Sequence, residues 1–135
     1  MHKTLDVTQA TAGLEIGQAV SFKTEGGAKL KVLHREDAPD LPKGEAREIR
    51  VLEAILNYGD QTPFHSHRHP VTVVMLEGVF TLDLADRGMV EIKAGEVFVE
   101  PAHVTMTGYN KNRDTAARMI LFYACDADVP FADPA

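Results

Sequence analysis

This 135-residue chain has almost no sulfur chemistry beyond methionine, since Cys125 is its single cysteine. An intramolecular disulfide and a two-cysteine zinc pattern are therefore both excluded, and a reducing, cytoplasmic setting is the expectation. Long apolar runs are missing too. No window approaches the about 18 apolar residues that a spanning helix needs, and the opening MHKTLDVTQA has charge without an apolar stretch behind it, so neither a membrane span nor a signal peptide is expected. Positive charge is also short. Against 20 Asp and Glu stand 14 Lys and Arg, a net charge of −6 with no basic stripe that could track phosphates. Nucleic acid and anionic membranes are therefore not expected partners. There is no internal repeat, no glycine-rich phosphate loop and no G-x-S-x-G nucleophile turn.

What remains is the make-up of an ordinary globular domain, 44% apolar and 25% charged. At this length folding removes roughly two thirds of the unfolded chain's surface from water, so a core can form without help from a metal. Residues 1–45 read as an N-terminal arm with one strand, Lys29 to His34, punctuated by Gly26-Gly27 and by Pro39 and Pro42. Residues 46–124 read as the core. Ile49, Val51, Leu52, Ile55 and Leu56 form a run rich in branched residues that ends at the turn signal Asn57 to Asp60. That pattern predicts a strand buried on both faces, with a helix over 45–57 as the competing reading.

Val71 to Leu76 and Val79 to Leu84 flank Glu77-Gly78 as the two arms of a hairpin would. Short strands are predicted at 90–93, 96–100, 104–109 and 118–124, spaced by about 8 to 12 residues and closed by turn chemistry, which argues for an all-β sandwich or barrel. The segment 125–135, with three Asp and two Pro, reads as a tail over the surface.

Chemistry concentrates in His65-Ser66-His67-Arg68-His69, three of the chain's six histidines within five residues. On an extended strand, side chains two apart share a face about 6.6 Å apart at Cα, and neighbouring imidazoles can close on one ion at about 2.0 to 2.2 Å. Idle histidines on a polar strand end are the plainer alternative. Glu77 and Glu100 read as turn and strand-end carboxylates, and Cys125 lacks the basic neighbour that would activate it.

The stretch Gly59-x5-His65-x-His67-x3-Val71-x6-Gly78 resembles the first motif of the cupin superfamily, Gly-x5-His-x-His-x3 or 4-Glu-x6-Gly. Gly95-x5-Pro101-x-His103-x2-Met106-x3-Asn110 is similar to the second motif, Gly-x5-Pro-x-Gly-x2-His-x3-Asn. The resemblance implies an antiparallel jelly-roll β-barrel, usually a homodimer, in which metal and a small molecule meet inside the barrel. It places metal-binding imidazoles on His65 and His67. Two family ligands are replaced, the glutamate by Val71 and the last histidine by Met106. Valine cannot coordinate, and the thioether of methionine suits Cu(I) better than Mn or Fe(II).

His69, in phase with His65 and His67, and His103, at a family glycine position, are candidate replacement ligands, as is Met106. The expectation is a homodimeric cytoplasmic barrel holding a divalent or copper ion (Fe, Mn, Ni, Zn or Cu). Beside the ion it would handle a small polar organic molecule, with oxygenation, isomerisation or decarboxylation as compatible reactions. A non-catalytic binding or sensing barrel with a weak metal site, or none, is the alternative.

Overall fold

The computed structural model describes residues 27–135 together with two short strands before them, β1 (Glu15–Ile16) and β2 (Val20–Ser21). The chain divides into two compact units, Met1–Glu36 and Asp37–Ala135. In the first unit β1 and β2 pair antiparallel, Glu15 opposite Ser21 and Ile16 opposite Val20. The strand expected at Lys29–His34 does not form. A strand exists only with a hydrogen-bonded partner, and among the described residues none pairs with this segment, so Leu33 is left 60% exposed.

The second unit begins at Asp37 rather than at residue 46, because Gly44 donates its N–H to Asp126 Oδ1 (3.0 Å) and the Asp40 carbonyl accepts from His69 Nδ1 (2.9 Å). Its strands are β3 (Arg47–Leu56), β4 (His65–Ser66), β5 (Val71–Glu77), β6 (Val79–Asp83), β7 (Met89–Lys93), β8 (Val97–Glu100), β9 (Thr107–Tyr109), β10 (Ala117–Asp126) and β11 (Asp133–Pro134). All pair antiparallel. A four-stranded sheet runs β3-β10-β5-β8, a three-stranded one β7-β6-β9, and β11 pairs with β4. The only helical piece among the described residues is one 3-10 turn at Ala85–Arg87. This is an antiparallel jelly-roll barrel, as the turn-punctuated short strands predict.

Alternation decides what points inward. On β5, Val71, Val73 and Met75 are buried; on β10, Ala117, Met119, Leu121, Tyr123 and Cys125 are, and together with Phe80, Leu82, Ile92 and Met106 they form one core. β3 is a strand, not a helix, but it is not buried on both faces. It lies at the sheet edge, and its odd-numbered residues face out, leaving Ile49, Val51 and Ile55 exposed.

The expected hairpin at Glu77-Gly78 is instead a corner: β5 stays in the four-stranded sheet while β6 joins the three-stranded one. Gly78 makes the turn at φ +72°, where a Cβ would run into the Ala116 carbonyl oxygen, so only glycine fits. The tail is not loose. β11 pairs with β4, the Ala135 N–H donates to the Phe64 carbonyl (3.1 Å), and Arg68 makes two bonds of 3.1 Å to Asp133. An Asp- and Pro-rich composition can still form a short edge strand when a neighbour offers a ladder.

Candidate functional site

Three neighbouring strands bring Tyr123 (β10), Val71 (β5) and Glu100 (β8) into one row, since Val71 pairs with Tyr123 on one side and with Glu100 on the other. Residues directly opposite in an antiparallel pair share a face, so all three point into the barrel, and all three are buried. His67 lies against this row. Its ring meets Tyr123 at 5.9 Å and Phe131 at 4.8 Å between centroids, and its Nε2 lies 3.2 Å from Glu100 Oε1, with the two side chains only 0% and 6% exposed.

His65, one strand step away and half-buried, packs edge-on to His67 at 4.9 Å. Its backbone exchanges two hydrogen bonds with Met106 (2.9 and 2.8 Å), which puts the buried Met106 side chain on the same face as His65.

The backbone fixes the histidine tautomers. His65 Nδ1 lies 2.7 Å from the Pro63 carbonyl, His67 Nδ1 2.7 Å from the Phe131 carbonyl and His69 Nδ1 2.9 Å from the Asp40 carbonyl. A carbonyl oxygen can only accept, so each Nδ1 carries a proton, and in the neutral form of the ring Nε2 is the lone pair. At His67 that nitrogen is buried and makes no hydrogen bond, although it lies 3.2 Å from Glu100 Oε1. The Tyr123 hydroxyl is also buried without a partner. Burial pushes its phenol above the ordinary range, partly offset by the nearby N–H groups of His69 and Arg68.

His69 and His103 stand elsewhere. Both line a surface cleft of about 430 Å³ with Lys43, Arg68 and Asp126, and His69 Nε2 is 3.6 Å from Asp126 Oδ2. The strand that carries His65 ends at Ser66, so His69 lies in a bend before Pro70, and the His69 ring meets the Tyr123 ring only at 6.1 Å. His103 sits in a turn at φ +63°, a conformation natural to the glycine of the related motif, with its side chain exposed and its N–H donated to the His67 carbonyl (2.8 Å). Of the second motif, Asn110 is structural: its buried Nδ2 donates to the carbonyls of Leu56 (3.1 Å) and Thr115 (2.9 Å).

A family model described as a cupin domain matches residues 52–123, more than half of the chain. The chain belongs to the cupin family. Its fold is similar to a cupin-like protein from Thermotoga maritima (TM-score 0.57, 17% identity, 64% of this chain and 64% of that one). It is also similar to an RmlC-like cupin with a double-stranded β-helix fold from Methanocaldococcus jannaschii (0.53, 24%, 82% and 93%). A third structure, a DMSP lyase from Ruegeria pomeroyi, aligns over 64% of this chain but 43% of its own (0.57, 13%). At these identities the likeness shows the fold alone. No curated protein matches this chain.

Within the cupin barrel, sequence reasoning missed two contributors. Glu100, read as a solvated strand end, is buried against His67, and the signal was its phase with Phe98 on β8. Phe131, in the supposed tail, supplies the carbonyl that orients His67. Glu77 is a surface carboxylate, 3.2 Å from Arg118. Cys125 is fully buried, and burial raises its thiol, which keeps it inert.

Do these residues fit the ion that the family implies? Among the described residues no group of three or more His, Cys, Asp or Glu side chains could hold a metal ion. The residues present therefore supply only part of a donor set: two imidazoles with Nδ1 held by backbone carbonyls, as metal-binding histidines usually are, and one Nε2 left without a hydrogen bond beside a buried carboxylate.

Proposed function

We propose that this cupin binds a small polar organic molecule at the mouth of the barrel, between the rim imidazole of His65 and the buried row Tyr123, Val71 and Glu100. One observation carries the reading: an apolar barrel interior holds polar atoms, His67 Nε2 and the Tyr123 hydroxyl, that are buried and unpartnered. A buried polar group without a partner costs about 1 to 3 kcal/mol, a cost that persists in a fold only if something else meets the group. Facing lone pairs of His67 and Glu100 accept rather than donate, so the set favours a molecule bearing hydroxyl or amino donors, or one brought in by a cation. Reaction chemistry at such a centre and simple binding share these contacts.

The methionines report on this directly. Met75, Met106 and Met119 are buried in the core and Met89 is exposed on β7. With methyl-labelled methionine, a panel of small polyols and hydroxylated or amino compounds should yield a compound that shifts the Met106 resonance and leaves Met89 in place. A panel in which every hit moves Met89 alone contradicts the reading.

We also propose that two copies pair through the outer face of β3 and β10. Val51 lies opposite Phe122 there, and with Ile49 and Ile55 they leave an apolar patch on an edge strand, the kind of surface that a second copy covers. Light scattering should give twice 14.8 kDa for the native chain and 14.8 kDa for Val51→Lys.

A further inference from the structure

Among the described residues Glu100 is the only Asp, Glu, Lys or Arg that is buried. The cations of this chain are engaged elsewhere: Arg50 pairs with Glu48, Arg68 with Asp133, Lys111 with Glu91, and Arg118 with Glu53 and Glu77, all at the surface. The ion-pair neighbour of Glu100 among the described residues is the imidazole of His67, whose Nε2 lies 3.2 Å from Oε1 without making a hydrogen bond. A carboxylate out of water needs positive charge beside it, and the protein supplies no Lys or Arg there.

Hydrogen-bonding capacity points the same way. A carboxylate only accepts, and with Nδ1 bonded to the Phe131 carbonyl the neutral His67 ring presents Nε2 as a second acceptor. His65, with Nδ1 on the Pro63 carbonyl, adds a third at the rim, and the buried Met106 sulfur is at most a weak fourth. Two acceptors 3.2 Å apart repel unless a donor comes between them. A neutral hydroxyl meets the need for a donor but not for charge, and a carboxylate or phosphate meets neither. An ammonium meets both, with three N–H donors and a full positive charge. It also asks for less than a metal ion does: among the described residues no group of three or more His, Cys, Asp or Glu side chains could hold such an ion, whereas an ammonium needs only acceptors about 2.7 to 2.9 Å away.

We propose that the molecule taken up by the barrel is an amine, and that its protonated nitrogen enters first and donates to His67 Nε2 and the Glu100 carboxylate. This rests on the barrel interior being the binding site and names the chemical class that it takes. Glu100 selects the charge, His67 and His65 accept further N–H bonds, and Val71, opposite Glu100 on β5, keeps the neighbouring wall apolar. Anionic groups are left outside, because no Lys or Arg reaches this part of the core to receive them.

The test keeps one carbon skeleton and changes only its charge: propanolamine, propanediol and hydroxypropionate, each substituted at both chain ends, titrated near neutral pH against the chain with methyl-labelled methionine. The Met106 resonance is the readout. Propanolamine should bind at least about tenfold more tightly than propanediol, as a charge-assisted hydrogen bond exceeds a neutral one, and hydroxypropionate should leave Met106 in place. Glu100→Gln, checked for β-structure by circular dichroism, should cut the preference for amine over diol to about threefold or less while diol binding persists. Glu77→Gln, which removes a surface carboxylate instead, should keep the full preference. Equal affinities for amine and diol in the native chain, or tighter binding of hydroxypropionate, overturn the proposal whether or not the Glu100 variant folds, and they leave the barrel standing as a binding site. A preference unchanged in Glu100→Gln, or lost in Glu77→Gln, also overturns it. Failure of all three compounds to move Met106 overturns it as well, while the wider panel still decides whether the barrel takes a small molecule.

Discussion

Two imidazoles in this barrel start from the same local chemistry and end in different environments. His67 and His69 each donate Nδ1–H to a backbone carbonyl and each turn Nε2 toward a carboxylate, Glu100 at 3.2 Å and Asp126 at 3.6 Å. The His67 pair is sealed, with side chains 0% and 6% exposed; the His69 pair stands at 12% and 30%. Water can complete the second pair and screen it, so its arrangement asks for nothing further. The first is closed to bulk solvent, and an Nε2 without a hydrogen bond beside a buried carboxylate is left needing a partner. Burial, rather than the identity of the residues, separates a site from a surface contact.

The widest difference should appear when each imidazole is removed. His67→Ala leaves a cavity beside Tyr123 and Phe131 and strips the Phe131 carbonyl of its donor, so urea unfolding should show a loss of about 2 to 4 kcal/mol. His69→Ala should cost about 1 kcal/mol or less, since its ring is partly solvated and its 3.6 Å approach to Asp126 is open to solvent. Equal losses would erase the distinction drawn here.

A smaller effect of opposite sign is expected at His103, which holds φ +63° with its side chain in the outer cleft. His103→Gly should raise stability by about 0.5 to 1 kcal/mol, because glycine adopts that backbone without strain. It should also leave the affinity for propanolamine unchanged. A fall in affinity would move the site toward the cleft.

The smallest effect concerns the tail strand. Arg68 holds the Asp133 carboxyl below its ordinary value of 3.8 through its hydrogen bonds and its charge. A carboxyl depressed in the folded state adds stability above its unfolded pKa, and that stability is lost as pH falls through the folded value. Arg68→Ala should therefore lower stability slightly near pH 7, with the difference from the native chain shrinking as pH falls through the Asp133 titration, and it should move the acid unfolding midpoint slightly upward if at all. A shift in the midpoint toward lower pH would reverse the sign of this pairing.

The legible part of this molecule was whatever depends on short sequence intervals. His65 and His67 share a face because strand side chains repeat every second residue, and the turn-punctuated strands gave the all-β class directly. The unread part depends on which strands become neighbours. Glu100 lies 33 positions beyond His67 in the chain, and only the β5 to β8 register sets it against Val71 and the imidazole. Phe131 was hidden for a like reason: nothing local in an Asp- and Pro-rich segment reveals that β11 will lie on β4 and present a carbonyl to His67. His69 shows the converse, since it keeps the two-residue spacing but the strand has ended at Ser66 and the ring turns to Asp40 and Asp126. Gly78 fits both a hairpin and a corner between sheets, and the closed barrel selects the corner.

The most direct measurement is the nitrogen-15 spectrum of the histidine rings, recorded through long-range proton couplings with and without saturating propanolamine. The account predicts that His67 and His69 both carry their proton on Nδ1, and that the amine shifts Nε2 of His67 while Nε2 of His69 stays in place. A His67 ring protonated on Nε2, or a response to the amine at His69 with none at His67, would contradict it.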